Sequence, residues 1–347
     1  MLVESPVEQR AETASVLPRR RAVRAFGLLL SVVLLACVAG ASIAIGAKDL
    51  SLGQVWHGLF EDSGTYGDTV VADRLSRTLL GLLVGAALGL AGAVLQALTR
   101  NPLADPGLLG INAGASAAVV TAITFFGVTS LSGYVWFAFC GAAAVGALVW
   151  FLGGSRAVTP VRLALAGTAV SAALYGYLQA IMILDDAALG KMRFWTVGSL
   201  AAGDTSTIVQ VLPFLLAGSA LALLLARPLN AMAMGDDTAK ALGANLNRTR
   251  ALSMLTATVL CGAATAACGP IIFVGLMVPH VVRSFTGPDQ RWILPYAAVL
   301  SPVLLLGADV IGRIVARPAE LQVGIVTAII GGPVFILLVR RRRTAQL

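Results

Sequence analysis

The stretch TLLGLLVGAALGLAGAVLQAL, residues 78–98, decides what kind of protein this is. It has about the 20 residues a helix needs to cross a hydrocarbon core, and Thr78 and Gln96 are its only polar side chains. In lipid every backbone N–H and C=O must be bonded within the chain, which leaves helices and closed barrels. Barrel strands need about 9–11 residues of alternating polarity, and this stretch does not alternate. Working outward, ten such stretches follow one another, at roughly 25–46, 78–98, 108–128, 134–153, 163–184, 208–226, 251–268, 271–285, 293–312 and 321–340. The chain is therefore expected to be all-α and polytopic, with ten transmembrane helices.

Composition agrees. Of the 347 residues 58% are hydrophobic and 12% charged, against about 25% charged in soluble domains, and no loop is long enough to hide one. Residues 1–24 are polar and Arg-rich and read as a disordered cytoplasmic tail, with a second short tail at 342–347. Arg19, Arg20, Arg21 and Arg24 before an apolar run also suit a signal peptide. That run continues to Gly46, beyond the roughly 7–15 residues of a cleavable core, so it reads as a retained first helix. Cys37, Cys140, Cys261 and Cys268 all fall in apolar stretches without zinc-site spacing and read as small core residues. His57 and His280 stand too far apart in the chain to suggest a histidine-rich metal centre.

An even number of spans puts both termini on one face. With that face cytoplasmic, 18 of the 25 Lys and Arg lie inside, while 10 of the 17 acidic residues lie outside. The positive-inside rule thus sets the orientation, and the basic pI reports topology rather than nucleic-acid binding. Gly81, Gly85 and Gly89 recur every fourth residue and are followed by Gly92, a small-residue face that lets another helix approach closely. Gly324, Ala328, Gly331 and Gly332 repeat the idea in the last span. The segment from Arg77 also lies without gaps over the one from Arg250, setting Pro106 on Pro279. The two helices concerned run in opposite directions, as in an inverted repeat of helices 1–5 and 6–10, though identity is low and two unrelated small-residue helices would look similar.

No G-x-x-x-x-G-K-[ST] occurs, so the chain holds no ATP phosphates of its own; H-E-x-x-H and a nucleophile elbow are also absent. Ionisable groups are nearly absent from mid-span, which argues against an ion-coupled carrier and for energy supplied by a partner. The cytoplasmic segment 229–250 offers a place to receive it. MGDDTAKALGANLNR reads as a short helix capped by Asp236 or Asp237, continued through Ala239–Leu242 and ended by Gly243. A solvated loop would carry similar residues. On the outer face Arg74, Arg77 and Arg313 are basic exceptions, either snorkelling to headgroups or docking an acidic partner. Thr168, Ser171, Tyr175 and Gln179 share one face of the fifth span and suit a water-filled path or interhelical hydrogen bonds equally.

The run RLSRTLLGLLVGAALGLAGAVLQALTRNPLADPGLLGINAGA (74–115) resembles the signature of permeases that import ferric siderophores, haem and cobalamin, the membrane subunits of type II ATP-binding-cassette importers. FWTVGSL (194–200), LNAMAMGDDTAKALGAN (229–245), GPIIFVGLMVPHVVR (269–283) and AELQVGIVTAIIGGPVF (319–335) continue the likeness in order, across about 25–341. The resemblance implies a ten-helix permease domain over 25–341 in a bacterial inner membrane. It implies a permease pair around a central path, two cytoplasmic ATPases that bind ATP and magnesium in this chain's stead, and an external substrate-binding protein. It implies that Gly235, Asp236, Asp237, Ala241, Leu242 and Gly243 couple to the ATPase, and that Arg74, Arg77 and Arg313 meet acidic residues of the binding protein. Thr168, Ser171, Tyr175 and Gln179 would line the path. Ser76 and Gln322 stand where the family usually has proline, and Asp204–Thr205 replace a common aromatic, which bears on outer-loop geometry. Ferric siderophore is the cargo expected first, with haem and cobalamin open; a stand-alone ion-coupled carrier is the rival class.

Overall fold

The computed structural model describes residues 6–46, 52–60, 66–128, 130–153, 160–201 and 203–344, and among them the chain is helical, with no strand. The elements are α1 (Pro6–Ala44), α2 (Leu52–Phe60), α3 (Tyr66–Thr99), a 3-10 turn (Pro106–Leu109), α4 (Ile111–Phe126), α5 (Leu131–Leu152), α6 (Pro160–Leu184) and α7 (Asp186–Trp195). There follow α8 (Thr205–Leu224), α9 (Ala226–Ala233), α10 (Asp236–Ala241), α11 (Leu246–Cys268), α12 (Val274–Thr286), α13 (Gln290–Val315) and α14 (Val323–Thr344). Each expected span falls on one helix, in order α1, α3, α4, α5, α6, α8, α11, α12, α13 and α14. Among the described residues seven of these (α1, α3, α5, α6, α8, α11, α13) hold a stretch long and apolar enough to cross a membrane. The apolar parts of α4 and α14 are shorter, and α12 has 13 residues.

Helices α3 and α11 form the centre. Each has 78% of its most apolar stretch buried, against 11% for α6 and 6% for α1. What permits this is the missing side chains on α3. A Cβ on Gly85 would lie 2.6 Å from the Pro302 Cα of α13, and one on Gly92 would overlap the Gly275 carbonyl of α12. The same crossing solves a second problem. Pro279 has no N–H, so the carbonyl four residues earlier, on Gly275, loses its helical donor. Gln96, fully buried, supplies one: its Nε2 donates to the carbonyls of Leu276 at 2.9 Å and Gly275 at 3.3 Å.

The structure departs from the sequence expectation in several places. Helix α1 begins at Pro6, upstream of the expected first span, and α2, α7 and α9 are additional. Helix α7 is set by Asp185, whose side chain accepts from the N–H groups of Ala187 and Ala188. Cys261 and Cys268 are buried core residues, whereas Cys37 and Cys140 are exposed, on helix faces that a membrane would cover. The FWTVGSL loop ties two helix ends together: Ser199 N–H donates to the Cys268 carbonyl at 2.7 Å, and the Gly198 carbonyl accepts from Gly324 at 3.2 Å.

Candidate functional site

Two charged clusters sit near opposite ends of α3. Arg77 and Arg100 are separated by about 34 Å of helix rise, close to the thickness of a hydrocarbon core. At the Arg77 end the last turn of α1 presents carbonyls with no helical partner. Arginines supply the donors. Arg313 Nη1 donates to the carbonyls of Ser42 (2.9 Å) and Ile45 (3.0 Å), and its Nη2 donates to Ser42 Oγ at 2.9 Å. Arg74 Nη1 donates to those of Ile43 (3.1 Å) and Ala44 (2.9 Å), and Arg317 Nη2 to that of Gly46 at 2.6 Å. Cations at a helix C-terminus also suit its dipole.

Asp309 closes this cluster. Both its oxygens accept from Arg77 Nε (3.2 and 3.0 Å), and Oδ1 also accepts from Nη2 at 2.7 Å. Arg313, one turn on, lies 3.1 Å away on the other side. Glu320 takes the remaining edge of Arg77 at 2.6 Å. Asp309 is fully buried, Arg313 is 1% exposed and Arg74 7%, while the Glu320 side chain is 35% exposed. Arg74, Arg77 and Arg313 thus share one cluster, which the sequence did not suggest, and they are not the exposed or snorkelling side chains expected of it. They hold α1, α3 and α13 to one another. The sequence reading missed Asp309, although its i,i+4 spacing to Arg313 was a signal.

At the other end α10 forms the expected short helix with a different start. Gly235, at φ 103°, is the N-cap, and neither Asp236 nor Asp237 makes a side-chain capping bond. Asp236 instead pairs with Arg100, at the end of α3, and with Arg250 of α11, the latter at 2.6 Å. Partial burial alone would raise the Asp236 carboxyl; the bond from Arg100 and the charge and bond of Arg250 outweigh it and hold it below the usual carboxylate range. Arg100, held at φ 51°, also donates to the Met232 carbonyl at 2.7 Å. The far end behaves as predicted. Gly243 adopts φ 80°, its N–H reaches the Lys240 carbonyl, and Ala244 N–H reaches that of Ala239, which together make a Schellman stop. Ala239 is buried, while Ala241 and Gly243 are exposed with Met234 and Leu242, so α10 is a braced knob with an apolar tip.

The polar stripe lies on α6, one of the two least covered of the long apolar helices. Thr168, Tyr175 and Gln179 are exposed, and Ser171 is half-buried beside Gly110. Thr168 also lines a cavity of about 400 Å³ with Thr99, Asn101 and Asp105. Asp105 starts the 3-10 turn, its Oδ1 accepting from Gly107 N–H at 2.8 Å. Desolvation pushes its carboxyl up to about 6 against the pull of that N–H. Among the described residues no group of three His, Cys, Asp or Glu is placed to hold a metal.

The chain is 48% identical over 326 residues to the ferric enterobactin transport system permease protein FepD of Escherichia coli K12, covering 93% of this chain and 96% of that one. It is 40% identical over 329 residues to the Fe(3+)-citrate import system permease protein YfmD of Bacillus subtilis 168, covering 94% and 98%. A solved inward-facing structure of a metal-chelate type ABC transporter superposes with a TM-score of 0.79 at 30% identity, covering 92% of this chain and 99% of the other. Residues 30–341 match the FecCD transport family, and the chain belongs to it.

Proposed function

We propose that this chain is the membrane-spanning permease subunit of an ATP-driven, binding-protein-dependent importer of iron chelates, with ferric siderophores as cargo. The observation that carries this is the similarity to the ferric enterobactin permease across nearly the whole of both chains. In this reading each end of the molecule has a part. At the Arg77 end the cluster holds more guanidinium than carboxylate, so it offers positive potential to an acidic lobe of a binding protein, with Glu320 the exposed rival for Arg77. At the other end the α10 knob presents Met234 and Leu242 to an ATPase groove, and Asp236 transmits its displacement to α3 through Arg100 and to α11 through Arg250. Two copies, or this chain and a paralogue, would enclose a path with the α6 stripe facing it. Thr168, Tyr175 and Gln179 would then meet water rather than lipid. Bond cleavage in ATP belongs to the separate ATPase, which also holds the magnesium.

The test is uptake of a labelled panel (several ferric siderophores, haem and cobalamin) in a bacterial deletion strain and its complemented twin. Loss of one ferric siderophore, restored by the wild-type chain, is the expected result. Unchanged uptake of the whole panel, with redundant permeases deleted as well, would remove the iron assignment.

A further inference from the structure

We propose that the groove between α5, α8 and α11 binds one anionic phospholipid, an acyl chain lying in the groove and the phosphate resting on Arg248. The groove holds about 390 Å³ and is made by small residues on α5: Ala143, Gly146 and Ala147 leave space that Phe214 of α8 and Leu255 of α11 wall in. A Cβ on Gly146 would lie 2.6 Å from Thr258 Oγ1, so the space follows from close packing of α5 on α11. Phe139 and Phe214, ring centroids 4.6 Å apart, stand at the end away from Arg248, and Trp150 stands at the other. Along α11 the lining runs from Ala251 to Val259, about 12 Å of rise, most of one leaflet's share of a hydrocarbon core of about 30 Å.

The charge below the groove selects the occupant. Arg248, Ala251, Leu255 and Val259 follow at steps of three and four, so the guanidinium belongs to the same face of α11 one turn below the lining. Arg248 is exposed and forms no ion pair among the described residues, whereas Arg250 is committed to Asp236. Arg227, also exposed, starts α9 directly after the matching end of α8. Two cations at headgroup depth, an indole at the interface and an apolar slot above them fit a lipid of net negative charge. The proposal needs only a membrane-embedded chain and does not rest on the importer reading.

Brominated acyl chains quench tryptophan on contact, and Trp150 lines the groove. The full-length chain and its Trp150→Phe variant are reconstituted in phosphatidylcholine vesicles with increasing fractions of brominated phosphatidylglycerol or brominated phosphatidylcholine. The Trp150 signal is the difference between the two proteins. It should be lost at about a five-fold lower fraction of the anionic lipid. Arg248→Gln should abolish that preference, Arg248→Lys should retain it, and Ala147→Phe should weaken quenching by both lipids. Helicity and quenching of the other tryptophans confirm that the variants are folded. Equal curves for the two lipids, a preference surviving Arg248→Gln, or a Trp150 signal untouched by either lipid would overturn the proposal.

Discussion

The two clusters flanking the central helix use the same chemistry in opposite settings. Around Asp309 the ions are out of solvent and bonded on several sides, and both the carboxylate and its arginines would be left uncompensated if one were removed. Around Asp236 the carboxylate is 38% exposed and the Arg100 side chain 43%, so water shares the work. Burial turns an ion pair from an adjustable contact into a fixed joint, because each partner's desolvation must be offset by the other. Solvent does the reverse: pairs there contribute about 0–1 kcal/mol and exchange readily. In the proposed role, with docking at one end and a motor at the other, the chain would be stiff where it is framed and compliant where it is pushed. The Asp309 joint and the Asp236 brace differ in that sense.

The most damaging test of this contrast is Asp309→Ala. It should lower stability by about 3–5 kcal/mol, since it strands Arg77 and Arg313 together in a buried site, and the loss should appear as a large fall in the midpoint of thermal denaturation in detergent. A midpoint matching wild type would mean that solvent reaches the cluster and that the two ends are alike. Next in size is Asp105→Asn. A carboxyl raised to about 6 is protonated in the folded chain while the unfolded chain is already ionised, so its contribution to stability is present below the unfolded value near 3.8 and is lost as pH rises through 6. Asparagine keeps the acceptor for Gly107 and removes the charge. The variant should gain about 3 kcal/mol at pH 8 and little at pH 4, which paired denaturation curves would reveal.

Asp236→Asn should act on transport more than on stability. The expected loss of stability is at most about 1 kcal/mol, while chelate uptake should fall severalfold as α10 loses its brace to α3. Equal and large losses in both would instead make α10 a structural pillar. Smallest of all is the response to salt. At 1 M ionic strength the Debye length is about 3 Å, so the Asp236 pairing should weaken and the Asp309 joint should not. Hydrogen exchange along residues 236–241 and 309–313 at low and high salt would separate them, and parallel changes at the two ends would erase the distinction.

How far the sequence could be read depended on the range of each interaction. The apolar runs are local, and every expected span lies on a helix. The turn at Gly243 was legible for the same reason: a left-handed residue after DDTAKAL is a property of a few neighbouring positions. Helices α2 and α7 are 9 and 10 residues long, too short for a hydropathy window, and α7 carries Lys191 and Arg193. Arg74, Arg77 and Arg313 stood out in the sequence as basic residues among otherwise acidic connecting segments. Their burial could not be read, because Arg77 meets Asp309 at 232 positions' separation and Arg74 and Arg313 reach back to carbonyls in residues 42–45. Arg100 was overlooked for a similar reason. Nothing adjacent to it in the chain announces that Asp236 comes to it.

The crossing of α3 and α12 at Gly92 limits how this chain can change. With the Gly275 carbonyl where a Cβ would stand, every single-residue replacement at 92 requires two helices to part, and parting them withdraws Gln96 from the carbonyl that Pro279 leaves without a donor. Gly332, with no heavy atom within 4 Å of its would-be Cβ, has no such obstacle. In a library of random variants position 332 should accept many letters of the alphabet and position 92 only one. Three residues from two distant parts of the gene, Gly92, Gln96 and Pro279, would therefore have to be rewritten together for the chain to escape its present form.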